Sequence, residues 1–416
     1  MPTAVTAQQA RTATREPGIA ARFLLPLIAL ATAVTAANIY LAAPLLPLIA
    51  RDFGSTPSAV AWIASVAQFG YAAGLLVFAP LGDTVNRRRL VAVLSLVAAA
   101  ALVAGAAAAG TTALAAAVLV ASAATVVPQL LVPLVARRAP ADRRARHVAA
   151  VIAGLFTGIV AARVLGGLAG QAFGWRAVFV GAAALTAVLG LLTAYALPTE
   201  HRARRTGRLF SGLAALPSVV RSSPDLWRAC VRQAGMYGAW SALWTSLALL
   251  LTGEDTTGYG LSTATAGLFG LFGLAASVVA PLAGGLVDRF GAAKVVRSAY
   301  LLAAASVPLF WLGGHVMVSL FVAAIAVHAA LVASHVANQT LALTTTSTPA
   351  TANTAYVVAG FAGGAIASAL AGSAFTHFGW GGVCAVAGAW LVLGWTTTAA
   401  RSTTTATRST TAAVRR

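Results

Sequence analysis

Twelve apolar runs alternate with short connections along the 416-residue chain, at about 22–48, 58–80, 89–109, 112–135, 148–170, 175–197, 227–251, 261–286, 294–313, 315–337, 353–375 and 380–398. A hydrocarbon core about 30 Å thick takes roughly 20 residues of helix, so each run is long enough to cross it. Charged residues make up 9% of the chain, against about 25% in an ordinary soluble domain, too few to cover a water-facing surface. The runs therefore predict an all-α membrane protein with twelve transmembrane helices.

The formal net charge of +19 invites a nucleic-acid reading, which its placement opposes. The basic residues sit in connections that alternate with cation-poor ones: Arg87–Arg89, then Arg137 to Arg146, Arg202 to Arg208, and Arg289, Lys294 and Arg297. That alternation is the positive-inside pattern, and it predicts both termini in the cytoplasm and a lipid bilayer, not nucleic acid, as the surrounding partner. The first 21 residues read as a polar tail, and the run that follows is too long for a signal peptide, so a retained helix is expected. Cys230 and Cys384 lie far apart in apolar stretches and suggest neither a disulfide framework nor a metal site. Residues 198–226, basic and containing Pro198, Pro217 and Pro224, divide the chain into a bundle at 22–197 and another at 227–398; residues 399–416 read as a solvated tail.

The two sets of six repeat one another. "PLGDTVNRRRL" at 80–90 and "PLAGGLVDRFGAAK" at 281–294 place Asp83 and Asp288 205 positions apart, and "FGW" recurs at 173–175 and 378–380 with the same offset. Phe156 with Phe361 and Gly158 with Gly363 obey it too. Because six is even, the two units share an orientation and form a parallel repeat about the membrane normal.

With these motifs the chain resembles the major facilitator superfamily over residues 20–400. The family's loop between its second and third helices usually reads G-x-x-x-D-R-x-G-R-R/K. Asp83, Arg87 and Arg88 match it here, while Ala79, Thr84 and Asn86 stand where Gly, Arg and Gly are usual. The second copy keeps Gly284, Asp288, Arg289 and Gly291. A carboxylate at a helix end beside arginines forms charged contacts that depend on the tilt of the halves, so these residues are candidates for a conformational switch. "YLAAPLLPLIARDFG" (40–54), "VVPQLLVPLVARRAPADRRAR" (126–146) and "FGWRAVF" (173–179) are further similar to the bacterial drug- and metabolite-efflux branch. The resemblance implies a fold of two six-helix halves, alternating access, a small organic substrate, no cofactor and function as a monomer.

One charge stands inside a run. In "TGIVAARVLGGLAG" (157–170) Arg163 has no charged neighbour within ten positions before it, and the next after it is Arg176. Antiporters of the family often carry G-P-x-x-G-G here; with Gly166 and Gly167 at its end, Arg163 takes the proline position. It lies ~24 Å along a helix starting near His147, past the membrane middle. Within ~60° of it on the helix are Gly166, Gly167 and Gly170, a small-residue face that should meet protein instead of lipid. An intramembrane arginine costs at least ~2.5–3.5 kcal/mol on insertion scales, which calls for a partner or water. None of the nine acidic residues falls inside a run, so the acidic or carbonyl-bearing end of a substrate is the expected contact.

The resemblance implies a cavity lined by the first, fourth, seventh and tenth helices. Their candidates are Asn38 and Tyr40, Gln129, the one-faced stripe Gln233, Tyr237, Trp240 and Trp244, and His328; the second helix adds Gln68 and Tyr71. His328 and His335, seven residues apart, are candidates for proton coupling, since histidine can cycle near neutral pH. Catalytic carboxylate pairs, nucleophile–base pairs, metal spacings and a GxxxxGK[ST] loop are missing, so an enzyme is not expected. The favoured reading is an exporter of a small amphipathic organic compound. Uptake by the same fold, or a non-transporting receptor or scaffold, are the alternatives.

Overall fold

A computed structural model describes residues 19–79, 81, 85–138, 144–197, 211–253, 258–344 and 349–398, and every regular element among them is helical. Asp83, the N-terminal tail through residue 18, residues 198–210 of the linker and the tail from 399 lie outside the described residues.

Among the described residues, eleven helices are long and apolar enough to cross a membrane. The last, Pro349–Trp395, has 47 residues, about twice the length of one crossing. It breaks at Gly379, whose φ of 61° and ψ of −153° are not helical, and so supplies the eleventh and twelfth spans. Gly174 does the same between the fifth span, Arg144–Phe173, and the sixth, Trp175–Ala196, with φ 80°. Both glycines are the centre of an FGW copy, and only glycine adopts this left-handed backbone without strain. The following tryptophans secure the turns: the Trp175 indole N–H donates to Asp52 Oδ2 at 3.2 Å and that of Trp380 to the Phe310 carbonyl at 2.5 Å. The repeated tripeptide is thus a structural device.

Several elements differ from the runs, and the run 112–135 too is two helices, Thr111–Ala124 and Val127–Arg138. The run 22–48 is not one helix: Ile19–Tyr40 is followed by a 3-10 turn, Ala43–Leu45, and a short helix, Leu46–Asp52. Pro44 and Pro47 lack N–H donors and disfavour helix in the residues before them, so the helix stops at Tyr40. The run 261–286 contains a 3-10 segment, Phe269–Leu274, between Thr263–Leu268 and Ala275–Phe290. The stretch read as a linker contains a helix, Ser211–Ser222, just before the seventh span, Pro224–Thr252. Leu216, Val219 and Val220 of that helix pack against Leu226, Ala229 and Tyr356, an apolar burial that a scan for membrane-length runs overlooks.

Within each half, helices approach closely at small residues, as expected where lipid offers no hydrophobic drive between helices. A methyl added at Gly158 would stand 2.0 Å from the Ala33 carbonyl oxygen of the first span, and one at Gly363 2.7 Å from that of Ala234 in the seventh. These two glycines are the pair related by the 205-residue offset. Large apolar side chains such as Leu165, Val278, Leu301 and Val392 are exposed, forming the surface that a bilayer covers.

The halves meet in the middle and at the end bearing the cation-poor connections. Gly167 of the fifth span and Gly267 of the eighth abut backbone to backbone: a methyl at Gly267 would lie 2.6 Å from the Arg163 carbonyl oxygen and 3.1 Å from Gly167 Cα. Nearby, a methyl at Gly372 of the eleventh span would touch Ala61 of the second at 3.1 Å.

Candidate functional site between the halves

Arg163 is buried, with 7% of its surface exposed. Its glycine face meets protein, as the helix geometry predicts: Gly166 faces Pro44, Gly167 faces Thr263 and Gly267, and Gly170 faces Leu45. The side chain reaches across to the other half. Its guanidinium carbon lies 4.9 Å from the ring centroid of Trp244, 5.0 Å from that of Trp240 and 5.4 Å from that of Tyr40. Tyr40 stands at the proline-terminated end of the first span. The two tryptophans are four residues apart on the seventh, with parallel rings, 6° between planes and 6.2 Å between centroids. A desolvated cation over one such ring gains about 2 kcal/mol, so the cage offsets much of the cost of burying the charge.

Other bonds hold the cage in shape. Tyr40 and Tyr237 share a hydrogen bond between their hydroxyls, joining the first and seventh spans. The Trp240 indole N–H donates to His328 Nε2 at 3.2 Å, which requires that nitrogen to be unprotonated; Nδ1 then carries the hydrogen and donates to the Ala324 carbonyl at 2.8 Å. His328 also stands edge-on to Trp244, 4.4 Å between centroids. Both ring nitrogens of this proton-coupling candidate are therefore bonded.

Gln68 forms a second link between the halves. Its Nε2 donates to Ser368 Oγ at 3.0 Å, its Oε1 accepts from Ser241 Oγ at 2.9 Å, and Ser368 is 3.2 Å from Thr245 Oγ1. All four residues are buried. Tyr71, beside it on the same span, receives a hydrogen bond from Gln129 at 3.4 Å and packs on Phe361, 4.5 Å between centroids.

The structure thus brings together Tyr40, Arg163, Tyr237, Trp240, Trp244 and His328, with Gln68, Tyr71 and Gln129 alongside. Three candidates fall elsewhere. Asn38 donates to Thr186 Oγ1 at 2.9 Å inside the first half. Gln233 leaves the aromatic stripe and accepts from the Tyr356 hydroxyl at 2.6 Å, and that hydroxyl lies 3.4 Å from His335 Nδ1, a cluster within the second half. Of the switch candidates, Arg87 is buried, Arg88 lies over the Tyr195 ring at 5.4 Å, and Asp288 and Arg289 are exposed, Arg289 over Phe290 at 5.1 Å. Asn86, in the place of the usual glycine, caps the third span through Arg89 N at 3.2 Å. Ser241, Thr245, Ser368 and Phe361 were not among the candidates. Small hydroxyls in apolar runs carry no distinguishing pattern, whereas Phe361 had one signal, its 205-residue offset from Phe156.

A model of the major facilitator superfamily matches residues 28–256, more than half of the chain. The chain belongs to the major facilitator superfamily. Among proteins similar to this superfamily member is a probable transporter of Streptomyces coelicolor, 84% identical over 94% of this chain and 91% of its own. The uncharacterized transporter YgaY of Escherichia coli O157:H7 is 33% identical over 89% of this chain and 93% of its own. Solved structures share the fold: the nucleoside transporter NupG at TM-score 0.72 and 15% identity, covering 90% of this chain and 98% of that one. The peptide transporter POT follows at 0.70 and 16%, covering 95% and 97%. An inward-facing bacterial homologue of the lysosomal transporter Spinster stands at 0.67 and 17%, covering 92% and 95%. The chain is accordingly a multi-pass membrane transporter of this superfamily.

Proposed function

We propose that this transporter exports a small amphipathic organic compound across the bacterial plasma membrane by alternating access, as a monomer with both termini in the cytoplasm. The observation that carries this reading is the buried Arg163 at the boundary of the halves, held by aromatic rings from both. A site that joins the two moving bodies, with one cation among aromatic and uncharged polar side chains, suits a ligand with a hydrophobic body and an acidic or carbonyl-bearing end. Export is favoured because Asp, Glu and Lys, common inside the spans of nutrient–proton symporters, are absent from span interiors among the described residues, and because the motifs at 40–54, 126–146 and 173–179 are similar to those of efflux proteins.

Proton coupling, if it runs through His328, has a definite consequence. A proton arriving at Nε2 must displace the Trp240 N–H, so protonation and release of one cage wall become a single event. His335, bonded within the second half, is the other candidate.

The test compares growth of cells with and without the transporter over a panel of small organic compounds, followed by uptake of the responding compound into inverted vesicles. Arg163→Ala is expected to abolish transport, and Arg163→Lys, which keeps the charge but loses the planar fork, to lower it about tenfold, at normal membrane expression. Wild-type rates in both variants would remove Arg163 from the site, and accumulation by intact cells would reverse the direction. Transport unchanged after collapse of the pH gradient would exclude proton coupling.

A further inference from the structure

The aromatic cage accounts for the charge of Arg163 but not for its hydrogens. A cation–π contact is an electrostatic attraction to a ring face and provides no acceptor for an N–H, while a guanidinium carries five such donors. Arg163 Nη1 is buried and has no hydrogen-bond partner. The neighbours have little to offer it. The tryptophans have only N–H donors, both nitrogens of His328 are engaged, and the hydroxyls of Tyr40 and Tyr237, bonded to one another, do not accept from Arg163. Among the described residues no carboxylate pairs with Arg163. Open space adjoins the residue: a cavity of about 30 Å³, bounded by Pro44, Trp244, Leu247, Phe269 and Gly270, has Arg163 in its wall, and a second of about 10 Å³ lies on the side of Gln68 and Tyr40. As the halves stand here, the larger is water-sized.

We propose that this cavity is the closed form of an anion subsite that widens as the halves part: Arg163 then receives the carboxylate, or an equally small anionic head, of the transported compound, whose apolar body lies along Trp240 and Trp244. The inference rests on the transport reading above and narrows it to organic anions. A neutral amide offers one acceptor but leaves the buried charge uncompensated. An amine would set a second cation beside the first in a desolvated site, where like charges repel strongly. A carboxylate supplies both missing terms, the acceptor and the countercharge, in a charge-assisted bond of the strong kind. Binding would also draw the guanidinium toward the anion and loosen its hold on two tryptophans of the opposite half, so that occupancy weakens a contact between the halves.

Purified full-length protein in detergent and low-salt buffer is titrated with sodium benzoate, benzamide as its neutral isostere, and sodium chloride, reading intrinsic tryptophan emission. The expected result is a saturable change with benzoate, absent with benzamide, weakened about tenfold in Arg163→Lys and lost in Arg163→Gln; size-exclusion profiles show whether both variants remain folded. Saturation by chloride as well keeps the anion site but makes its occupant an inorganic counter-ion. No saturable response to either anion, or an equal response to benzamide, or to benzoate in a folded Arg163→Gln, overturns the site. The vesicle assay fails or succeeds separately: export of amines with a silent titration would leave the export reading standing and remove this one, and a saturable titration without export would do the reverse.

Discussion

Arg163 is the residue whose isolation the sequence displays and whose partners it conceals. A lone charge in an apolar run is visible by inspection, and its glycine-rich face follows from 100° per residue. The partners are Tyr40 and two tryptophans about 80 positions further on. A cation–π contact leaves no signature in sequence, because aromatic residues at helical spacing also serve ordinary packing. His328 shows the same limit: the sequence marks it as titratable, but only the structure shows it accepting from Trp240. His328→Leu strands that N–H in an apolar setting, at a cost of about 1–2 kcal/mol. A lower thermal midpoint in detergent is expected, with most of the loss recovered in His328→Gln, whose side-chain oxygen can accept. Equal losses in both variants would assign the stabilisation to ring packing on Trp244 instead of the hydrogen bond.

At the scale of elements, helix breaks decide where the site can form. Pro44 and Pro47 stop the first helix at Tyr40, and Pro44 then lines the cavity beside Arg163. The 3-10 segment Phe269–Leu274 lets Gly270 approach the Arg163 side chain; a methyl there would stand 2.7 Å from Arg163 Cβ. The prolines are plain in the sequence, whereas the 3-10 winding has no comparable marker. The contact of the fifth and eighth spans at Gly167 and Gly267 closes this end of the molecule. Gly267→Leu would force these backbones apart, an overpacking cost of typically 1–3 kcal/mol, which favours the state separated here. A single cysteine at Thr263, buried at 6% exposure, reports the change once Cys230 and Cys384 are replaced. Its labelling by a membrane-impermeant maleimide is expected to rise about tenfold, the effect of ~1.4 kcal/mol. Unchanged labelling would mean that this contact does not bias the equilibrium.

For the whole molecule, the halves are joined by the Arg163 cage, the Tyr40–Tyr237 bond and the Gln68 network, beside the backbone contacts at Gly167–Gly267 and Gly372–Ala61 and the packing of Tyr71 on Phe361. Each half is otherwise packed on itself. The helix Ser211–Ser222 belongs with the second half, through Leu216, Val219 and Val220. Two co-expressed chains divided within 198–210 are therefore expected to co-purify as an active pair. A division at Ser223 strips that helix from Leu226 and Tyr356 and should reduce the yield of the pair severalfold. Equal recovery from both divisions would show the helix to be dispensable for assembly.

Twelve spans, two repeated halves and the singular position of Arg163 were determined by the sequence alone, because lipid imposes a minimum apolar length on every crossing and a strong penalty on any charge within it. The repetition of FGW was legible too; that its glycines turn the chain, in a backbone conformation other residues resist, came from the structure. The tertiary structure decided what each polar group faces. It turned Asn38 into the first half, drew Gln233 and His335 to Tyr356, and set Gln68 among hydroxyls of the other half. Those pairings depend on the relative rotation and depth of helices far apart in sequence, quantities that hydrophobic periodicity leaves free and that close packing at glycine contacts settles.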